Sequence, residues 1–200
     1  MIIALTGGIG SGKSLATEIL REMGFKVIDT DLIAHELSQP NKAVYQAIFE
    51  TFGKEYFTKT HELDRRKLGD LIFNDAPKRK LLDSAVHPII LNNAKDQYND
   101  ILKNSPNAIV FITVPLLFEG SDNIKNMLPY DKSLLITADD DIRIKRMMDY
   151  RKMTKSEATA RLLSQMPESE KAQLADYVIT NNAAKKDLQK KIAEFIKTLK

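Results

Sequence analysis

Short apolar runs alternate along this chain with longer stretches in which apolar residues recur at helical spacing. Five of the short runs predict strands, at residues 2–5, 25–28, 107–114, 134–137 and 177–179. The third run is almost continuous and rich in β-branched residues, which is typical of a strand buried on both faces of a parallel sheet. Strands that alternate with helices predict an α/β fold with a parallel sheet.

The stretches between these runs predict helices. Leu15, Ile19 and Met23 have helical spacing after the first strand, and the apolar residues of 184–199 lie on one helical face. Residues 32–104 contain no strand-like run and are predicted to be mainly helical, with a polar loop near 58–62. Because proline suits the first turn of a helix, we expect one of these helices to begin at His87-Pro88.

Residues 7–14, between the first strand and the first helix, have the pattern G-x-x-x-x-G-K-[ST]. A glycine-rich loop between a strand and a helix is the context of a phosphate-binding P-loop. The glycines let backbone N–H groups approach a polyphosphate, and the helix N-terminus favours the anion. Lys13 adds charge for the β- and γ-phosphates, and the Ser14 hydroxyl is placed to bind Mg²⁺. The motif predicts nucleoside triphosphate binding without specifying the reaction.

Asp29 and Asp31 directly follow the second predicted strand. Ligands of open α/β sheets bind at the carboxyl ends of strands, and an extended segment would send both carboxylates to one side. They either meet an acceptor hydroxyl and the metal, or cap the following helix. Glu119 follows the third predicted strand. It either reaches the site, through water or an arginine, or has no role there.

A basic run follows the fourth predicted strand and Asp139, where we expect a helix to begin. From Arg143 to Arg161 it contains seven lysines and arginines and only two acidic residues. Such runs usually mark a solvated helix face. In a P-loop protein, a mobile basic lid that closes over phosphates is the alternative. Arg65 and Arg66, in the first turn of another predicted helix, oppose its dipole and are either solvated or paired with another group, such as a substrate phosphate.

Composition narrows the classes of protein. The 200 residues include no cysteine, which excludes disulfides, thiolate metal sites and cysteine nucleophiles. A net charge of +3 suits anionic substrates and does not favour nucleic acid. No signal peptide precedes the first strand, and the longest apolar stretch is too short to span a bilayer. We therefore expect a soluble, cytoplasmic protein with no membrane partner. We expect it to be a monomer, with an oligomer as the alternative.

These motifs together resemble the dephospho-CoA kinase family over almost the whole chain. The resemblance is carried by the P-loop and Val27-Ile28-Asp29-Thr30-Asp31, and by Leu63-Asp64-Arg65, Ile72-Phe73, His87-Pro88-Ile89, the 114–119 segment, Arg161-x-x-x-Gln165, and 175–179 with Asn181-Asn182. The chain departs from the family at Leu15, which replaces a common threonine, and at Ala183, where the family often has glycine. The second departure leaves the adenine-side contact open.

The resemblance implies a P-loop kinase core of five parallel strands flanked by helices, a helical substrate-binding insertion and a basic lid. It implies a single kinase domain over residues 1–200. Within it, residues 1–31 and 105–200 form the nucleotide-binding core, residues 32–104 the helical acceptor-binding region, and residues 146–170, approximately, the lid.

The resemblance also implies transfer of the ATP γ-phosphate, with Mg²⁺, to the ribose 3′-hydroxyl of dephospho-CoA, the final step of coenzyme A synthesis. The residues it implies fall into four groups: catalytic Asp31, Lys13, Arg146 and Arg151; ATP-binding Ile9, Gly10, Ser11, Gly12, Lys13, Ser14, Leu15 and Asn182; acceptor-binding Asp31, Arg65, His87 and Pro88; and metal-binding Ser14 and Asp29.

Two other functions stay open from the residues. One is a different P-loop kinase that acts on a nucleotide or another small alcohol, because Asp-x-Asp after the second strand fits any such acceptor. The other is a nucleotide-dependent switch. A switch usually carries an Asn-Lys-x-Asp motif that reads the base, and Asn41-Lys42-Ala43-Val44 lacks its aspartate.

Overall fold

A computed structural model describes residues 1–119 and 124–199 of the chain. Its strands form one five-stranded sheet in the order β2-β3-β1-β4-β5, which confirms the predicted α/β fold and its five strands. The strands are β1 (Ile2–Thr6), β2 (Lys26–Asp29), β3 (Val110–Thr113), β4 (Lys132–Thr137) and β5 (Tyr177–Thr180). Central β1 pairs in parallel with β3 on one side and β4 on the other.

Helices connect the strands. In the described part of the chain they are α1 (Lys13–Glu22), α2 (Thr30–Leu37), α3 (Ala43–Phe52), α4 (Arg65–Asn74), α5 (Ala76–Asn104), α6 (Ile124–Met127), α7 (Asp140–Arg151), α8 (Lys155–Leu163), α9 (Glu168–Leu174) and α10 (Lys185–Lys197), with a 3₁₀ helix at Lys54–Tyr56. Over residues 1–119 and 124–199, no helix is both long enough and apolar enough to cross a bilayer.

The chain divides into two compact units, one of residues 1–28 with 105–200 and the other of residues 29–104. In the first unit, all five residues of β1 are buried, and α1 packs against β4 and α10. Ile19 and Leu20 of α1 join the core, together with Phe111 of β3 and Ile192 of α10. The P-loop therefore leaves a fully buried strand of the sheet and enters a helix that is itself anchored in the core.

In the second unit, α5 packs against α2, α3 and α4. Val44 and Ile48 of α3 and Ile90 of α5 are buried. The ring of Phe57 lies beside Tyr45, with centroids 4.6 Å apart. The helical prediction for residues 32–104 is confirmed. The functional division into core, acceptor region and lid stays a prediction.

The helix start predicted at His87-Pro88 is wrong. No helix begins at His87-Pro88, because Pro88 lies inside the 29-residue α5. That helix begins after Asp75, whose Oδ1 accepts a hydrogen bond of 2.9 Å from the Lys78 N–H, and Pro77 occupies the first turn. An internal proline costs one backbone hydrogen bond. The burial of Val86 and Ile90 on either side of Pro88 helps offset that cost.

Asp176 joins β4 to the start of β5. Its Oδ2 accepts hydrogen bonds of 2.8 Å from both the N–H and the hydroxyl of Ser133, and Lys132 Nζ lies 3.4 Å from Oδ1. Burial alone raises the pKa of this carboxyl, but the hydrogen bonds from Ser133 and the charge of Lys132 outweigh burial. The pKa of Asp176 is therefore held below its ordinary value.

This lowered pKa predicts an acid-sensitive contribution to stability. The ionised Asp176 stabilises the fold above the unfolded-state pKa of about 3.9, and that stabilisation is lost as the pH falls through the folded-state pKa. We expect Asp176→Asn to lower Tm at pH 7, with a smaller difference from wild type below about pH 4. Thermal melts at both pH values measure this difference in Tm. Asp100→Asn, at an exposed aspartate of α5, is the control. An equal difference at both pH values would contradict it.

Candidate active site

The P-loop has the backbone geometry that its sequence predicts. The Ser11 N–H donates to the Gly8 carbonyl at 3.1 Å, and the Ala16 N–H donates to the Gly12 carbonyl at 3.0 Å, which starts α1. Gly12 has φ 96°, a left-handed conformation that favours glycine. A Cβ at Gly12 would also collide with Asn181 Nδ2. The strand–loop–helix arrangement of a P-loop is confirmed.

The amino end of α1 presents the loop's polar side chains. Lys13 is half-buried and Ser14 is exposed, while Leu15 is partly buried and packs against the core cluster. A helix N-terminus favours an anion through its free N–H groups and its dipole. A hydroxyl oxygen is a suitable Mg²⁺ ligand beside substrate phosphates, so Ser14 fits that metal.

Arg146, predicted to contact the transferring phosphate, lies against the P-loop backbone. Its Nη1 donates to the carbonyls of Gly10 and Ser11, each at 3.2 Å, and its Nη2 donates to the Asn181 carbonyl at 2.9 Å. Asn181 Nδ2 donates to the same Ser11 carbonyl at 2.9 Å. In this conformation Arg146 therefore orients the loop, and its contact with a phosphate stays a prediction.

Arg143 does not fit the interpretation of the basic run as a solvated helix face, because it is buried. Its side chain is only 2% exposed, and its Nε donates to the Ile9 carbonyl at 2.9 Å. Gln165 Oε1 accepts a hydrogen bond of 2.9 Å from the N–H of the same residue, Ile9. Sequence reasoning missed both contacts. The only signal for Gln165 was its place in Arg161-x-x-x-Gln165, to which no role was attached.

Glu119 belongs to a buried ionic cluster beside this contact. Its Oε1 lies 2.7 Å from Nζ of Lys171, which is 1% exposed, and that Nζ lies 3.3 Å from Glu168 Oε1. Arg143 Nη1 is 3.5 Å from the same Glu168 oxygen. The partner of Glu119 is thus a lysine, where the sequence suggested water or an arginine. The two buried cations are thus paired with Glu119 and Glu168, and Arg143 has a third carboxylate partner in exposed Asp140, 3.1 Å away.

The rest of the basic run is more open. Arg151 is the exposed last residue of α7. Lys152, with φ 55°, ends that helix, and Thr154 begins α8 in a capping box with Glu157. Arg151 therefore lies at a break between two helices, and its place in a lid stays a prediction. The helix predicted to begin at Asp139 is confirmed.

Asn182, predicted to bind ATP, makes a structural contact. Its Oδ1 accepts a hydrogen bond of 2.9 Å from the N–H of Asp139, the residue before α7. The Asn182 side chain thereby ties the segment after β5 to the start of α7. Its role toward ATP stays a prediction.

Asp29 caps α2. Its Oδ1 accepts hydrogen bonds from the N–H groups of Asp31 and Leu32, at 3.1 and 3.4 Å. The capping interpretation is confirmed for Asp29, and its metal role stays a prediction. The expectation that the extended segment reaches Asp31 is wrong, because α2 begins at Thr30 and places Asp31 in its first turn.

The predicted acceptor-side residues lie in the 29–104 unit. Arg65, the first residue of α4, donates from Nη2 to the hydroxyl of Ser38. His87 Nε2 lies 3.5 Å from Asp83 Oδ1, one helical turn earlier in α5. Pro88 follows in the same helix. Arg65 thus has a protein partner, and the roles of all three residues toward an acceptor stay predictions.

Comparison with known proteins decides the family. The sequence model described as "Dephospho-CoA kinase" matches residues 1–187. This chain belongs to the dephospho-CoA kinase family. A dephospho-CoA kinase of Oceanobacillus iheyensis is 42% identical over 182 residues, which cover 91% of this chain and 89% of that protein.

Solved structures agree with this assignment. Dephospho-CoA kinase from Campylobacter jejuni has a TM-score of 0.67 and 31% identity, over 99% of this chain and 96% of that one. The crystal structure of TT1252 from Thermus thermophilus has a TM-score of 0.79 at 31% identity, over 100% and 98% of the two chains. As a member of the dephospho-CoA kinase family, this chain is a P-loop kinase that transfers phosphate to an alcohol group.

Proposed function

We propose that this chain transfers the γ-phosphate of ATP to the ribose 3′-hydroxyl of dephospho-CoA and releases coenzyme A and ADP. The observation that carries the proposal is the P-loop between β1 and α1, in a chain whose residues 1–187 match this family. The P-loop is the proposed binding site for the donor ATP. Membership of the family indicates that dephospho-CoA is the acceptor. We further propose that the enzyme acts as a cytoplasmic monomer.

The donor side needs charge neutralisation and alignment more than covalent chemistry. The loop from Ile9 to Gly12 binds phosphate through the N–H groups of Gly10 and Gly12, because the Ile9 N–H bonds Gln165 Oε1 and the Ser11 N–H bonds the Gly8 carbonyl. Lys13 lies on the β- and γ-phosphates. Ser14 and the phosphates would hold Mg²⁺, which would supply positive charge to neutralise the charge that develops on the phosphates. Asp29, which caps α2, would be the second residue on the metal side of the site. The backbone of Leu15 and the side chain of Asn182 complete the ATP site.

Chain order supports the assignment of the acceptor side. Asp31 lies in the first turn of α2, directly after β2, and ligands of open α/β sheets bind beyond the carboxyl ends of strands. We assign Asp31 to the acceptor hydroxyl, as its base or orienting group. Arg65 and His87-Pro88 contact the rest of the acceptor. Arg146 and Arg151 stabilise charge on the transferring phosphoryl group.

The lid assignment makes a prediction for Arg151. We expect Arg151→Ala to lower kcat by roughly tenfold or more while dephospho-CoA binding weakens less, because the arginine acts on charge that develops in the transition state. Arg151→Lys should restore only part of the rate, since lysine lacks the planar fork that holds two phosphate oxygens. Steady-state kinetics measure both. Lys155→Ala, at an exposed lysine, is the control. Normal turnover by Arg151→Ala would mean that Arg151 is only part of the solvated end of α7.

An acceptor panel tests the function. ATP consumption is measured with dephospho-CoA, AMP, shikimate and no acceptor, on one preparation. We expect rapid ATP consumption with dephospho-CoA and slow consumption in the three other reactions. Preference for AMP or shikimate would indicate a different small-molecule kinase, and rapid hydrolysis without any acceptor would indicate a switch. Either result would overturn the assigned substrate.

A further inference from the structure

The peptide groups on either side of Ile9 are held by two side chains from distant parts of the chain. Gln165 Oε1 accepts from the Ile9 N–H, and Arg143 Nε donates to the Ile9 carbonyl, each at 2.9 Å. Arg143 lies in α7, and Gln165 lies in the segment between α8 and α9. Arg143 directly precedes the proposed lid of residues 146–170 and Gln165 lies within it, and both side chains contact the same residue of the P-loop.

The surroundings leave little room for another arrangement. A Cβ added at Gly8 would lie 2.5 Å from Arg143 Nη2 and 3.0 Å from Gln165 Oε1. Arg143 Nη1 also donates to Asp140 Oδ1 at 3.1 Å. Since Arg143 is 2% exposed, its charge depends on these partners and on Glu168. A buried guanidinium with several fixed partners has little freedom to move.

Rigid peptide planes carry this constraint to the phosphate side of the loop. The carbonyl of one residue and the N–H of the next point in opposite directions across a planar peptide. When Arg143 holds the Ile9 carbonyl, the Gly10 N–H must point away from Arg143. Arg146 and Asn181 act in the same way on the Ser11 carbonyl, and so on the Gly12 N–H. The carbonyls face protein donors, which leaves the Gly10 and Gly12 N–H groups directed to the opposite side.

We propose that Arg143 and Gln165 are positioning residues for the triphosphate of ATP. They act through the Ile9 backbone and hold the P-loop in its phosphate-binding conformation before ATP arrives. The inference rests on the proposed function only in taking ATP as the donor. Loss of either side chain means that ATP must order the loop as it binds, and this ordering weakens affinity.

Variants at Gln165 test the inference. Gln165→Leu keeps the approximate size but removes the acceptor for the Ile9 N–H. We expect it to raise the Kd and KM for ATP about tenfold, the effect of one lost hydrogen bond with its partner left unpaired, and to change kcat and the KM for dephospho-CoA less. Gln165→Glu keeps an acceptor oxygen and should restore ATP affinity. Gln173→Leu, at an exposed glutamine of α9, is the matched control and should bind ATP normally.

Arg143 supplies a second test. Arg143→Lys keeps the charge but not the fork that reaches the Ile9 carbonyl and the neighbouring carboxylates together. We expect its ATP affinity to fall about as much as that of Gln165→Leu. A thermal melt of each variant tests whether that variant is folded. This second site keeps the inference testable if one variant does not fold.

ATP affinity is measured by calorimetry without acceptor, which separates this inference from the proposed function. Should the wild type fail to phosphorylate dephospho-CoA, only the proposed function falls. Weakened ATP binding in Gln165→Leu and Arg143→Lys, with recovery in Gln165→Glu, supports the positioning role. Folded Gln165→Leu or Arg143→Lys with wild-type ATP affinity would overturn it.

Discussion

Replacement of Lys13 with Ala is expected to lower kcat/KM for ATP by about 10²-fold or more, close to 3 kcal/mol of transition-state stabilisation. Lys13 is the first residue of α1, at the end of the P-loop. Its ammonium group would contact the β- and γ-phosphates, where charge changes during transfer. Folding should change little, because the side chain is not part of the buried core.

The Lys13 experiment needs phosphoryl-transfer kinetics and a thermal melt on the same preparation. Lys145→Ala is a suitable control, since Lys145 is an exposed lysine of α7 with no assigned role, and it should keep wild-type kinetics. Near-normal transfer by folded Lys13→Ala would contradict the assignment of the P-loop as the donor site.

Asp31→Asn is expected to keep ATP binding and to lower transfer to dephospho-CoA by roughly 10²-fold or more. An ordinary carboxylate is ionised at neutral pH and accepts a hydrogen bond from a hydroxyl. In a loose transition state, aiming the acceptor oxygen matters more than early removal of its proton. Asparagine keeps the shape of the side chain and puts a neutral amide in place of the anion.

ATP affinity from calorimetry and transfer rate from product analysis separate the possible roles of Asp31. Asp29→Asn is the matched comparison, because Asp29 already caps α2 through Oδ1. It should lower transfer less if capping is its whole role, and comparably if it also orients the waters of the metal. Loss of ATP binding by Asp31→Asn, with normal transfer at saturating ATP, would place Asp31 in the donor site.

Local patterns predicted much of the fold because strands, the P-loop and most helices depend on neighbouring residues. The apolar run before Gly7 identified β1, and the spacing of Leu15, Ile19 and Met23 identified α1. Asp139 was correctly placed at the start of α7. The error at Pro88 arose because proline is favoured in a first turn, but burial of the surrounding residues can hold it inside a helix.

The contacts that shape the P-loop could not be predicted in this way. Ile9 is separated by 134 residues from Arg143 and by 156 from Gln165. A charge pattern shows that Arg143 belongs to a basic run but not that this one arginine is buried. Only the fold brings the segments after β1 and β4 together. The capping bond of Asp29, by contrast, reaches only two or three residues and was among the weighed interpretations.

In the proposed reaction, the γ-phosphate of ATP is transferred to the ribose 3′-hydroxyl of dephospho-CoA. The most direct measurement incubates the purified protein with ATP, Mg²⁺ and dephospho-CoA, and determines the product by mass spectrometry and ³¹P NMR, beside an acceptor that lacks the 3′-hydroxyl. We expect coenzyme A with a 3′-phosphomonoester, ADP in equal amount, and no phosphorylated product from the deoxy acceptor. Phosphorylation at another position, or no product from dephospho-CoA, would contradict it.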